Sequence, residues 1–164
     1  MGTTFTPEAV TTEWLSGALG TNVKSFEIEQ IGVGVGLLGR LYRISLDCEK
    51  GPKSVVAKFP TLDEGARMNV VEPLRFYEKE IAFYNEAAKD VPISTATVYH
   101  AEFDSDSRDF CLLLEDLGAR RMEDQIAGCP IADAETAVDA LAEMHAHWWD
   151  SKTFPSWLPK PRSM

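Results

Sequence analysis

Four glycines fall within eight residues, Gly32, Gly34, Gly36 and Gly39, and the chain on either side of them alternates in polarity with a period of two. Before them, Phe26, Ile28 and Gln30 alternate with Glu27 and Glu29. After them, Tyr42, Ile44 and Leu46 alternate with Leu41, Arg43 and Ser45. Period two is the mark of a strand with one covered face. The glycines are therefore expected to turn a β-hairpin. Gly34, Gly36 and Gly39 fit G-x-G-x-x-G, but a dinucleotide-binding fingerprint needs a helix directly after the glycines. A Walker loop needs Gly-Lys-Ser/Thr, which does not follow. A glycine hairpin with no ligand is the plain alternative.

The rest of the chain orders itself around this hairpin. Thr6-Pro7 opens an expected helix, with Val10, Trp14, Leu15 and Ala18 as its apolar side and Gly20 as its stop. Gly51-Pro52 marks a turn, and Ser54 to Phe59 reads as a third strand. A helix is expected from Glu72 or Pro73 to Ala88. Two more strands follow, Thr97 to Phe103 and Phe110 to Leu114. A short helical piece near Met122 to Ala127 and a strong helix from Asp133 to Trp149 come next, and the Phe154 to Pro161 tail is expected to be irregular. Five strands precede any sustained helical region, so the class is α+β and not a βαβ repeat.

A glycine hairpin lying over phosphates is the arrangement of protein-kinase-like folds, and it makes demands elsewhere. A lysine is needed on the third strand, and Lys58 stands there, although a lysine ending an apolar strand is as easily an exposed terminus. A helical carboxylate must orient it. Glu80 shares a helical face with Phe76, Phe83, Tyr84 and Ala87, which favours it over Glu78, since an acid among aromatics is costly unless paired. A partly exposed glutamate is the bland reading. Phe110 to Leu114, breaking into Glu115-Asp116-Leu117-Gly118, suits a linker whose backbone meets an adenine edge. Val33, Leu41 and Val56 would supply apolar walls.

On the stretches GVGVGLLGRLYRISL, SVVAKFP, EKEIAFYNEAA, CLLLEDL and LAEMHAHWW, the sequence resembles the aminoglycoside phosphotransferase and choline/ecdysteroid-kinase-like family. The resemblance implies a kinase-like small lobe, a five-stranded antiparallel sheet plus helix over 1–116, then the first helices of a large lobe over 117–164. It implies ATP and Mg2+ as cofactors and a small-molecule hydroxyl as phosphoryl acceptor. Lys58 and Glu80 are then the catalytic pair. Gly34, Gly36, Gly39, Val33, Leu41, Val56, Glu115, Asp116 and Leu117 are the nucleotide-binding set. The family's catalytic loop, with its aspartate base and metal ligands, has no counterpart up to Met164. The chain is therefore expected to be an N-terminal portion, inactive by itself, with the metal ligands outside it. The alternative is a non-catalytic module that binds nucleotide or a protein.

Charge and cysteine usage narrow the partners. The net charge is −10, and residues 100–150 hold 13 acidic against 3 basic groups. A general nucleic-acid binder needs the opposite sign; a solvated acidic surface is the plain reading, and a cationic substrate is compatible with it. No stretch reads as a targeting or membrane segment, and three cysteines without short spacing argue for neither a disulfide framework nor a zinc site. A cytoplasmic location is the expectation. His145 and His147 lie roughly 200° apart around their helix and cannot chelate one metal together, and His145, grouped with Val138, Leu141 and Trp148, reads as a packing residue. The Asp104 to Glu115 stretch is a poor calcium loop. Trp148, Trp149 and Trp157 read as core or inter-lobe packing residues, with a ligand surface as the alternative, and the Asp133–Trp149 helix is expected to expose apolar surface that favours self-association.

Overall fold

The structure, a computed structural model, describes residues 5–33, 38–121, 126–151 and 155–158. Five strands, β1 (Val23–Ile31), β2 (Gly39–Cys48), β3 (Ser54–Pro60), β4 (Val98–Phe103) and β5 (Phe110–Glu115), form one sheet in the order β1-β2-β3-β5-β4. Every neighbouring pair is antiparallel. The five expected strands are all present, each within a few residues of its expected limits.

Cross-strand partners share a face, so the register sorts the side chains. One face carries the rows Gln30–Tyr42–Ala57–Leu113–His100 and Ile28–Ile44–Val55–Glu115. Helix α1 (Thr12–Leu19) covers it, packing Trp14 and Leu15 with Ile44, Val55, Ala57, Phe59, Cys111 and Leu113. His100 meets the Trp14 ring edge-on at 5.3 Å. The opposite face carries Ile31–Leu41–Lys58–Leu112–Ala101 and Glu29–Arg43–Val56–Leu114–Val98. There Phe110 and Leu112 are buried under Tyr77 and Ile81, while Leu41, Arg43, Val56 and Lys58 are only partly covered.

The helices depart from the sequence expectation in three places. Thr6 introduces only a 3-10 turn, Pro7–Ala9, and the first true helix is capped instead by Thr11, whose Oγ1 accepts from the Trp14 amide at 3.1 Å. The helical stretch after β3 begins earlier than expected. Asp63 caps α2 (Glu64–Ala66), a π-turn spans Arg67–Val71, and α3 (Glu72–Leu74) follows. This part buries only Val71, so it carries no apolar periodicity to reveal it. Arg75 then adopts a left-handed conformation (φ 53°), interrupting the helix before α4 (Phe76–Ala82) and a second π-turn at Phe83–Ala87.

Helix α5 (Ile131–Trp148) lies close to its expected limits and has no buried residue. Ile131, Val138 and Leu141 are exposed, as expected for this segment, and so is the following Trp149, which was expected to pack. Of the helical piece expected near Met122 to Ala127, residues 122–125 lie outside the described residues and Ile126 and Ala127 form a turn; of the Phe154 to Pro161 tail only 155–158 are described, and they are not helical. Among the described residues no helix is long and apolar enough to cross a membrane.

Candidate nucleotide-binding site

Lys58 and Glu80 meet. Lys58 Nζ donates to both Glu80 carboxylate oxygens at 2.7 Å. The strand pleat sends Val55, Ala57 and Phe59 into the α1 core and leaves Val56 and Lys58 on the less covered face. Lys58 thus extends from the central strand with its side chain 24% exposed. The buried stripe is Tyr77 and Ile81 of α4 and, partly, Tyr84 of the π-turn after it. The sequence had suggested that Phe76 and Phe83 share the inward face with Glu80, yet Phe76 is 39% exposed. Glu80 rides the border of the stripe, so the carboxylate is neither deeply buried nor unpaired. Glu78 is engaged elsewhere, by the Arg75 guanidinium.

An open cleft of about 430 Å³ lies beside the pair, lined by Leu38, Lys58, Phe76, Tyr77, Lys79 and Glu80. Gly39, at the start of β2, lies against the stem of the lysine that lines the cleft. A Cβ there would lie 3.0 Å from Lys58 Cε and 3.1 Å from the Phe59 carbonyl oxygen. A side chain here would push the lysine stem and the β3 backbone by a few tenths of an ångström. Gly34 and Gly36, the other two glycines of the motif, lie outside the described residues. Tyr77 closes the inner end, its hydroxyl accepting from the Thr61 amide at 2.9 Å just after β3, and burial raises its pKa.

The expected apolar walls fall on the same face as Lys58. Leu41 is its direct cross-strand partner and Val56 precedes it by two residues. Val33 is 74% exposed at the near end of the hairpin. The linker residues were expected to act through their backbone, and the structure gives two of their side chains separate work. Glu115 is paired with Val55 on the α1 face, and its carboxylate accepts from the Thr97 amide and hydroxyl, both at 3.1 Å. Asp116 accepts from Arg43, Ser54 and the Gly118 amide. Burial would raise its pKa, but these hydrogen bonds outweigh it and hold the carboxyl below its usual range. Leu117 is partly exposed beyond them.

Arg43, Ser54 and Tyr77 escaped the sequence reading. Arg43 carried a usable signal, since it lies two residues from Leu41 and must share its face. Tyr77 did not, because helical phase alone could not say which aromatic turns inward.

Of the remaining residues weighed earlier, His145 and Trp149 are exposed, against the packing expected of them, because helix α5, which carries His145 and ends just before Trp149, buries no residue. The Asp104–Asp109 segment is a tight β4–β5 turn, with Asp104 Oδ1 accepting from the Asp106 and Ser107 amides. Arg67 clamps that turn through Asp109 Oδ1 and the Ser107 carbonyl. Trp157 donates to Glu86 at 2.8 Å, and with Phe83, Met144, His145 and Trp148 it lines an apolar groove of about 630 Å³. Cys111, buried mid-strand, has its thiol pushed up to about 12 by burial and by Glu102. Among the described residues no cluster of three or more His, Cys, Asp or Glu side chains could hold a metal ion.

Comparison with known proteins adds one match. The model of the ecdysteroid kinase-like family matches residues 34–148, a span that includes Gly39, Lys58, Glu80 and the linker after β5. No curated protein and no solved structure matches the chain significantly.

Proposed function

The chain belongs to the ecdysteroid kinase-like family, and from that premise we propose that it forms the nucleotide-binding part of an ATP-dependent phosphotransferase acting on a hydroxyl of a small molecule. The observation that carries this reading is the Lys58–Glu80 pair. A lysine from the central strand of a five-stranded sheet is held at 2.7 Å by a helical carboxylate, beside an open cleft that Leu38, next to Gly39, also lines. In this reading the small lobe is 1–116, and residues from 117 onward begin a helical lobe.

Each residue then has a physical task. Lys58 presents a fixed positive charge to the α- and β-phosphate oxygens, and Glu80 limits the positions its ammonium can take. Gly39 and the glycines before it let backbone amides approach phosphate, where any Cβ would intervene. Leu41, Val56, Val33 and Leu117 shield the base from water, and the backbone of 115–117 offers it hydrogen-bond partners. Bound ATP with Mg2+ would supply the phosphoryl group and the charge that neutralises it. The described residues fit the nucleotide through the cation, the cleft and the bare backbone at Gly39; they provide no cluster for the metal.

Calorimetric titration of Mg-ATP into the chain tests the proposal. Saturable 1:1 binding is expected, with Lys58→Met weakening it roughly 10- to 100-fold, as the loss of a charge-assisted hydrogen bond implies. No binding by the wild type, or equal binding by a folded Lys58→Met, refutes it.

A further inference from the structure

One carboxylate gathers the linker and two strands of the sheet. Asp116 Oδ2 accepts from Arg43 Nε at 2.8 Å and from Ser54 Oγ at 2.7 Å, and Oδ1 accepts from the Gly118 amide at 2.9 Å. A second guanidinium nitrogen, Arg43 Nη2, lies 3.5 Å from Oδ1, so arginine and carboxylate face each other fork to fork. The Asp116 side chain is 10% exposed, and few positions are open to it.

The placement of Arg43 gives this cluster more than a scaffolding character. Arg43 is the direct partner of Val56 and lies two residues along β2 from Leu41. It stands on the same face as Lys58, between the expected apolar walls and the linker. Contact with the linker is close: a Cβ at Gly118 would overlap Arg43 Nη2. A planar group resting on Val56 and reaching the backbone of 115–117 therefore has the guanidinium at its edge.

We propose that Arg43, held by Asp116, is a positioning residue that sets the nucleobase slot by fixing the 115–118 linker against β2 and β3. The phosphate end of the site belongs to Lys58 and Glu80, and the base end to Arg43, Asp116 and Ser54. This inference rests on the nucleotide-binding reading above and assigns a division of labour within it.

The test compares two ligands that share phosphates but not a base. Mg-ATP and magnesium tripolyphosphate are titrated into the full chain as wild type, Arg43→Met, Arg43→Lys and Lys58→Met, each checked for native circular dichroism. Arg43→Met is expected to weaken ATP about tenfold and tripolyphosphate less than about twofold. Arg43→Lys keeps the charge but loses the fork, so it folds and shows an intermediate loss for ATP alone. Lys58→Met is expected to weaken both ligands.

A merely structural Arg43 would lower both affinities together, and that result overturns the inference, as does an unchanged ATP affinity in both Arg43 variants. If the wild type binds tripolyphosphate as tightly as ATP, there is no base slot and the inference falls. If the wild type binds neither ligand, the nucleotide-binding reading fails and takes the inference with it. ATP preference in the wild type, weaker binding of both ligands in Lys58→Met and no effect in the Arg43 variants would leave that reading standing and remove only the inference.

Discussion

Replacing Glu80 by glutamine isolates what the carboxylate does for Lys58. Glutamine keeps the shape and one acceptor oxygen but removes the charge. At 2.7 Å two unit charges attract by about 1.5 kcal/mol in bulk water and about 6 kcal/mol at an effective dielectric near 20. Lys58 is 24% exposed and Glu80 30% exposed, so the pair sits between those regimes. Desolvation and the ordering of two long side chains oppose the attraction, leaving a net coupling of about 1–2 kcal/mol. Glu80→Gln should then lower the melting temperature by about 2–8 °C for a chain of this size. It should weaken Mg-ATP roughly three- to tenfold, a loss of about 0.7–1.4 kcal/mol, because the ammonium is no longer held over the cleft.

A double-mutant cycle supplies the decisive measurement. Urea unfolding and ATP titration are run on wild type, Glu80→Gln, Lys58→Met and the double variant. In the Lys58→Met background, Glu80→Gln should have almost no further effect on ATP affinity and a smaller effect on stability. Equal costs in both backgrounds, with a coupling within about 0.3 kcal/mol of zero, would mean that the two residues merely neighbour each other, and the positioning argument would be wrong.

Three further outcomes follow from the same geometry. Because Asp116 has a depressed folded-state pKa, its stabilisation is fully present above the unfolded aspartate value of about 3.9 and is lost as pH falls through the folded value. The urea midpoints of wild type and Asp116→Asn should therefore differ at pH 7 and converge towards pH 3; a gap independent of pH would refute this. Cys129 is exposed, whereas Cys48 and Cys111 are buried and the Cys111 thiol is pushed up to about 12. Iodoacetamide at pH 8 should label Cys129 in the native chain and the other two only after unfolding, as peptide mass mapping would report. The exposed Ile131, Val138 and Leu141 on α5 should drive self-association at raised concentration. Val138→Glu with Leu141→Glu should shift the chain towards monomer in sedimentation experiments, and a wild type that is monomeric throughout contradicts the prediction.

Much of this protein was legible in its sequence where the governing physics is local. A strand's pleat sends alternate side chains to opposite faces whatever else surrounds them. Hence Val55, Ala57 and Phe59 against Val56 and Lys58 could be sorted by inspection, and Leu41 could be placed beside Lys58. The glycine hairpin followed equally from glycines set between two alternating segments. The identification of Glu80 as the partner of Lys58 also came from spacing, although the reason offered was only partly right. The inward stripe is Tyr77 and Ile81, and Glu80 stands at its edge.

Tertiary structure decided what local periodicity does not encode. The helical stretch at 64–71 buries a single residue, Val71, so no pattern announced it. The left-handed turn at Arg75 and the π-turns on either side of α4 shift the helical phase, and that shift selects which aromatic faces the sheet. The task of Asp116 was hidden for a different reason. Its partners Arg43 and Ser54 lie 73 and 62 residues away in the chain, and only the stacking of β2, β3 and β5 brings them to one carboxylate. Sequence alone thus determined which face each strand residue takes, because the pleat is a property of the backbone. Which distant side chains meet on that face was decided only when the sheet assembled.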